Sequence, residues 1–141
     1  MEIFMLDFTQ LETTFSGKIV SSSHPEYDDS RKVYNANIDK RPQAILYCEN
    51  EADVISAVNF ARESNSLIAV RCQGHNGSGY SICNDGIVID LSQIKYTRVD
   101  NENNTVRVGA GCKWEDVDNA TAVFGKAVSS GVVSSTGVSG L

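Results

Sequence analysis

Positive charge is scarce in this chain, and so are the residues that hold metals. Twelve Lys and Arg stand against eighteen Asp and Glu, a net charge of −6. A basic surface for nucleic acid or an anionic membrane is therefore not expected. There are only two histidines, His24 and His75, and the four cysteines (Cys48, Cys72, Cys83 and Cys112) never form C-x-x-C. That excludes the common zinc frameworks, and no metal site is expected. No apolar run reaches the length of a membrane span. Met1 to Phe8 carries Glu2 and Asp7 without the basic start of a secretory leader, so a cytoplasmic protein with reduced, packed thiols is expected. Two familiar phosphate loops are missing as well: no G-x-G-x-x-G follows a strand, and no Lys-Ser/Thr pair closes a glycine loop.

What is present is a different glycine loop. Val70-Arg71-Cys72-Gln73-Gly74-His75-Asn76-Gly77-Ser78-Gly79-Tyr80-Ser81 begins where the apolar run Leu67 to Val70 stops, with glycines at 74, 77 and 79. Glycine adopts positive φ without a Cβ penalty, so such a loop can turn its N–H groups toward one point. A concavity of N–H groups is an anion site. Arg71 is expected to add positive charge at its edge, and His75 stands at its centre. Taken alone, the same composition also describes an ordinary loop between strands.

The rest of the chain gives the loop its setting. Leu6 to Phe15 has the apolar spacing of a short helix, Ile19-Val20 starts a short strand, and a helix after Pro25 is expected to carry Tyr27, Val33 and Tyr34. Asn35 to Pro42 is a polar connection. Ala44 to Cys48 reads as a buried strand. Asn50 caps a helix with Asp53 at its third position and Val54, Ile55, Val58, Phe60 and Ala61 on its inner face. Leu67 to Val70 is the next strand, completing a βαβ unit with parallel strands, and its C-terminal end is where open α/β sheets place ligands. Gly86 to Leu91 is a further strand. Tyr96 to Asp100 and Thr105 to Val108 form a hairpin around Asn101 to Asn104. A helix from about Lys113 to Val123 ends at Gly125, with Trp114 as its core anchor. Lys126 to Leu141 reads as close-packed loop and short strand, and the chain stops as if in the middle of something longer.

From about Arg41 to Leu141 this order of pieces resembles the FAD-binding domain of the vanillyl-alcohol oxidase and p-cresol methylhydroxylase superfamily (the PCMH type). It is most similar to the berberine-bridge-enzyme-like and 6-hydroxynicotine-oxidase-like branch. The resemblance rests on Arg41-Pro42-Gln43-Ala44-Ile45, Val70 to Ser81, Gly86 to Ser92, Val106 to Gly111 with Trp114, and Gly131 to Leu141. It implies an α+β fold: a helical lead-in over residues 1–40, a small parallel βαβ subdomain over about 41–80, and a second, mostly antiparallel α+β subdomain over about 81–141, truncated at its C-terminus.

The resemblance also implies roles. The family's R-x-x-G-H loop, here Arg71, Cys72, Gln73, Gly74 and His75, wraps the FAD pyrophosphate, and its histidine bonds to the flavin 8α-methyl group. Asn76, Gly77, Gly79 and Ser81 would supply further donors. Gln73 replaces a common glycine, where positive φ would be costly, and Cys72 is expected to be a small packed filler. Some members have a second link from a cysteine in G-x-C-P-T-x-G. The matching Gly131-Val132-Val133-Ser134-Ser135-Thr136-Gly137 has Val133 at that position, so one covalent bond through His75 is implied, not two. Thr136 falls where a Val-sized group accompanies oxidases and a bulkier Leu accompanies dehydrogenases. Gly137 and Gly140 would let backbone approach the cofactor.

The function so implied is the FAD-binding part of a flavin-dependent oxidase. It would take hydride from an alcohol, sugar or amine C–H to flavin N5, with dioxygen as acceptor. The substrate domain and catalytic base would lie in a missing C-terminal part, leaving these 141 residues inactive alone. The alternatives are a noncovalent FAD reductase on the same fold and a non-catalytic flavin-carrying or structural coat protein.

Overall fold

Ile87-Val88-Ile89 has no polar alternation, and a strand of that kind needs cover on both faces. It finds it at the centre of a four-stranded sheet. The computed structural model describes residues 6–139. β1 (Lys18–Ser21), β2 (Ala44–Tyr47), β3 (Ile68–Arg71) and β4 (Ile87–Asp90) lie in the order β1-β2-β4-β3. β2 and β3 both run parallel to β4, and β1 is antiparallel to β2. Successive residues point to opposite faces. Leu46, Ile87 and Ile89 enter one core with Leu11, Phe15, Ala57 and Ala61, while Ile45 and Val88 enter the other with Val20, Tyr27, Ala69 and Ile82.

Several expected bounds are corrected here. β2 and β3 are parallel but not neighbours, because β4 lies between them. The strand expected to open the second subdomain is therefore the middle of the first sheet, and a division near residue 80 cuts through it. The lead-in is also not simply helical, since β1 extends the same sheet across the division near residue 40. The helix expected to reach Val33 and Tyr34 is a single turn, α2 (Tyr27–Ser30). The helix before Gly17 is likewise one turn, α1 (Thr9–Glu12).

α3 (Glu51–Glu63) joins β2 to β3. Its cap is as read, with the Asn50 side chain accepting the Asp53 N–H at 3.0 Å. Its inner face is partly as read: Ala61 is buried and Val54 and Phe60 pack against the core, but Ile55 and Val58 are 63% and 42% exposed, and Asp53 and Ala57 are buried instead. Two alanines one turn apart let the helix lie close to the sheet. Asp53 can be buried beside them because its carboxylate accepts the N–H groups of Ser16 at 2.8 Å and Glu49 at 2.9 Å.

The second part of the chain follows its reading closely until residue 125. β5 (Thr97–Asp100) and β6 (Thr105–Val108) form the antiparallel hairpin. Its turn is held by the Asp100 carboxylate, which accepts from Glu102 and Asn103. α4 (Trp114–Ala122) ends where Gly125 takes φ +63°. Beyond it the described residues are the expected loop, without the expected short strand. Its pairing among the described residues is one bridge, Lys113 with Gly137, and Val132 is fully exposed. Serines and glycines offer too little apolar surface to pull this stretch into a core. The whole is an α+β fold.

Candidate functional site

The loop after β3 and the stretch before residue 140 face each other across a cleft of about 450 Å³. One wall is Val70, Cys72, Gln73, Gly74, His75, Asn76, Gly77, Tyr80 and Ser81; the other is Thr136, Gly137 and Ser139.

The loop wall is built from behind. The Gly74 carbonyl accepts the Tyr34 N–H at 3.1 Å, the Gly77 carbonyl accepts Asn35 Nδ2 at 2.8 Å, and the Gly79 carbonyl accepts Lys40 Nζ at 2.6 Å. Gly74 and Gly79 take φ of +70° and +72°. A Cβ on Gly79 would come within 2.8 Å of Ile38. With the carbonyls drawn outward, the N–H groups of Gln73 to Ser78 have no protein acceptor among the described residues. A run of unspent N–H donors along one wall of a cleft is what an anion requires.

Two side chains in the same wall are also unspent. Ser81 is 7% exposed and its Oγ is buried without a partner. His75 Nδ1 is likewise buried without a partner, and the imidazole stacks on the Tyr34 ring with centroids 4.9 Å apart and planes 23° apart. Buried polar atoms are nearly always hydrogen-bonded in a finished structure. Orphans lining a cleft point to something that fills it.

Arg71 is a correction. Expected as free charge at the loop's edge, it is 5% exposed and turned into the protein, where its Nε donates to Asp90 Oδ2 at 2.6 Å. Asp90 is equally buried, and its other oxygen accepts the Ser92 N–H at 2.9 Å. The pair neutralises itself beneath the loop, so the arginine supports the loop from below and offers no free charge to the cleft. Gln73 strains nothing, because Gly74 takes the positive φ. The Gln73 side chain donates to the Gly111 carbonyl at 3.3 Å, tying the loop to the β6–α4 connection. Cys72 is packed as expected: a Cβ on Gly137 would lie 2.5 Å from its sulfur, which is why this crossing point has glycine.

The second wall is fixed through α4. The Trp114 and Glu115 N–H groups, free because they open a helix, donate to the Thr136 and Ser134 carbonyls at 3.1 and 3.0 Å. Ser139 Oγ donates to the Ala110 carbonyl at 2.7 Å. Thr136 and Gly137 reach the cleft. Val133 does not line it and is 57% exposed. Gly79 shapes the loop from outside the cleft lining, and Gly140 lies outside the described residues. Trp114, expected in the core, is only half-buried, and its indole N–H has no partner. Sequence reasoning missed Ser139 and the whole buttress of Tyr34, Asn35, Ile38 and Lys40. Nothing in that polar stretch marks it except two donors, Asn35 and Lys40, lying near a glycine loop only in space.

Three of the four cysteines, Cys48, Cys83 and Cys112, are poor competitors for a cofactor here. All four thiols are free and buried. Burial pushes Cys48 up to about 12, with Asp53 and Asp90 adding to the effect, and burial also raises Cys83 and Cys112 above the usual thiol range. Protonated thiols are weak nucleophiles.

An N–H nest, an orphan hydroxyl and an uncharged rim suit the diphosphate of a dinucleotide cofactor. A family model described as an FAD binding domain matches residues 42–141. The chain belongs to this FAD-binding family. It is 35% identical over 129 residues to an FAD-linked oxidoreductase of Dictyostelium discoideum, covering 91% of this chain and 28% of that one. It is 28% identical over 128 residues to (R)-6-hydroxynicotine oxidase of Paenarthrobacter nicotinovorans, covering 91% of this chain and 28% of that one. Among solved structures, 6-hydroxy-D-nicotine oxidase of Arthrobacter nicotinovorans superposes with a TM-score of 0.83 at 28% identity, over 87% of this chain and 27% of that one. The BBE-like 1 protein of Physcomitrella patens superposes with a TM-score of 0.86 at 25% identity, over 94% of this chain and 29% of that one. The chain thus spans under a third of the relatives it matches.

Proposed function

We propose that this FAD-binding chain is part of a longer flavin-linked oxidase, holding the pyrophosphate in the loop nest and the flavin through a covalent bond to His75 alone. The observation that carries the reading is His75 itself: an imidazole fixed in the cleft wall, with a ring nitrogen lacking a partner among the described residues, beside a row of N–H donors. Bound FAD supplies a two-electron acceptor for an alcohol, sugar or amine C–H, with dioxygen receiving the electrons.

The chain's own part is binding and orientation. Gln73 to Ser78 and Ser81 hold the anion, and Gly137 keeps the second wall close to Cys72. Thr136 presents a Val-sized group to the cleft, which favours an oxidase. Val133, at the position of the second attachment in some relatives, has no atom able to form one. The substrate pocket and the proton-accepting base belong to the remainder of the longer protein, so these residues alone are inactive. A small-molecule substrate, no nucleic-acid or membrane partner, and a cytoplasmic location complete the reading. The net charge of −6 and the four free thiols support it.

The test is acid precipitation of the full-length protein after expression with riboflavin. A yellow pellet, turned colourless by His75→Ala, is expected, with oxygen uptake on a panel of alcohols, sugars and amines. Flavin mapped to a cysteine sulfur and not to the His75 ring overturns the attachment. A colourless wild-type pellet with NAD(P)H oxidation establishes the reductase instead. Bound flavin with no turnover establishes a carrier.

A further inference from the structure

We infer that Tyr34 is a positioning residue for His75: its ring sets the imidazole's orientation and thereby the rate at which flavin becomes attached, with little effect on how tightly FAD is held. The inference rests on the covalent reading above.

Three observations carry it. First, among the described residues His75 Nδ1 has no hydrogen-bond partner, so the ring is not oriented through that atom. The contact that defines its plane is the stack on Tyr34, at 4.9 Å and 23°. Aromatic pairs at such separations favour a defined mutual geometry beyond simple burial. Second, Tyr34 is fixed to the same loop. Its N–H donates to the Gly74 carbonyl at 3.1 Å, and the preceding Val33 lies 3.5 Å from where a Gly74 Cβ would stand. The next residue, Asn35, holds the Gly77 carbonyl at 2.8 Å. Tyr34 is thus attached on both sides of His75 to the loop that carries it. Third, the Tyr34 side chain has little packing reason to be there. The residue is 75% exposed and belongs to neither core.

The groups that grip an anion are backbone N–H groups, and Tyr34 is tied to the loop through its own backbone N–H, which truncation of its side chain leaves in place, so affinity and attachment separate. Attachment replaces one hydrogen of the 8α-methyl by the imidazole nitrogen. The isoalloxazine ring takes up the two electrons and a proton, a second proton goes to solvent, and dioxygen later reoxidises the ring. The ring nitrogen must therefore be aimed at one carbon, and orientation of this kind governs rate.

The experiment uses the full-length apoprotein given FAD. Tyr34→Ala should slow the growth of acid-precipitable flavin by at least about tenfold, while FAD affinity, measured in a His75→Ala background, changes by no more than about threefold. Tyr34→Phe should restore the wild-type rate. In proton NMR of the apoprotein, the His75 ring signals, identified by their absence from His75→Ala, should carry an upfield ring-current shift. That shift should be lost in Tyr34→Ala and kept in Tyr34→Phe. Unchanged attachment and ring signals in Tyr34→Ala overturn the inference. Equal losses of rate and affinity also overturn it, because Tyr34 would then merely support the loop. A normal ring-current shift in a wild type that never attaches flavin overturns the covalent reading and leaves the positioning of the ring standing.

Discussion

The two walls of the cleft are made in opposite ways. The loop wall, Cys72 to Ser81, is held from outside the cleft: three of its carbonyls are tied to Tyr34, Asn35 and Lys40, and its root is the buried Arg71–Asp90 pair. The N–H groups of Gln73 to Ser78, His75 Nδ1 and Ser81 Oγ are left without a partner among the described residues. The second wall, Ser134 to Ser139, spends its backbone on α4, whose opening N–H groups it caps, and it leaves Val132 and Val133 exposed. One wall is a rigid donor array. The other is a strap that supplies shape through small residues. A site needs precision where charge is held and clearance where a flat ring system must lie, and the difference matches that division.

Breaking the root of the loop wall should have the largest effect. Asp90→Ala leaves the Arg71 guanidinium buried without its partner, and a loss of about 3–5 kcal/mol in urea denaturation is expected. The double change Arg71→Met with Asp90→Leu removes both charges and should recover most of that loss. If Asp90→Ala costs under about 1 kcal/mol, the range for an exposed pair, the pair is not the foundation described here.

This pair also shows where the sequence was silent. The glycines and the histidine were legible as a candidate ligand loop, because residue types announce what backbone and side chain can do. Which way Arg71 points was not. A buried arginine needs a buried carboxylate, and Asp90 is nineteen residues away, opposite it only because β3 pairs with β4 in one register. The same holds for the order of strands: Gly86 to Leu91 announced a strand, but not that it would insert between β2 and β3. The α3 face was misread for a related reason. Apolar size suggested Ile55 and Val58 beside Ala61, whereas close packing against the sheet selected Ala57 beside it. Segment 33–40 gave no signal because its role consists of long-range contacts to backbone carbonyls.

A smaller break should come at the far end of the loop wall. Gly79→Ala puts a side chain at φ +72° and a Cβ 2.8 Å from Ile38. The two effects together should cost about 2–4 kcal/mol. Ile38→Ala in the same chain should return the part due to crowding and leave the part due to φ. Denaturation of the two variants separates them. Full recovery would mean that Gly79 is present for space alone.

The smallest effect on stability, and the sharpest on the comparison, is expected at Thr136. It lines the cleft, yet its N–H donates to the Val133 carbonyl at 3.1 Å and its carbonyl accepts from Trp114, so the backbone is fixed whatever side chain it bears. Thr136→Leu should therefore change stability by no more than about 0.5 kcal/mol. Under the proposed function its added bulk enters the side of the cleft used by dioxygen and not the path of hydride. Stopped-flow measurement of the full-length protein should show reoxidation slowed by about tenfold, a barrier increase of about 1.4 kcal/mol, with reduction by substrate within roughly twofold of wild type. Equal slowing of both half-reactions would mean that the strap positions the flavin as a whole. The second wall would then be as much a part of the binding array as the first, and the division of labour between them would fall.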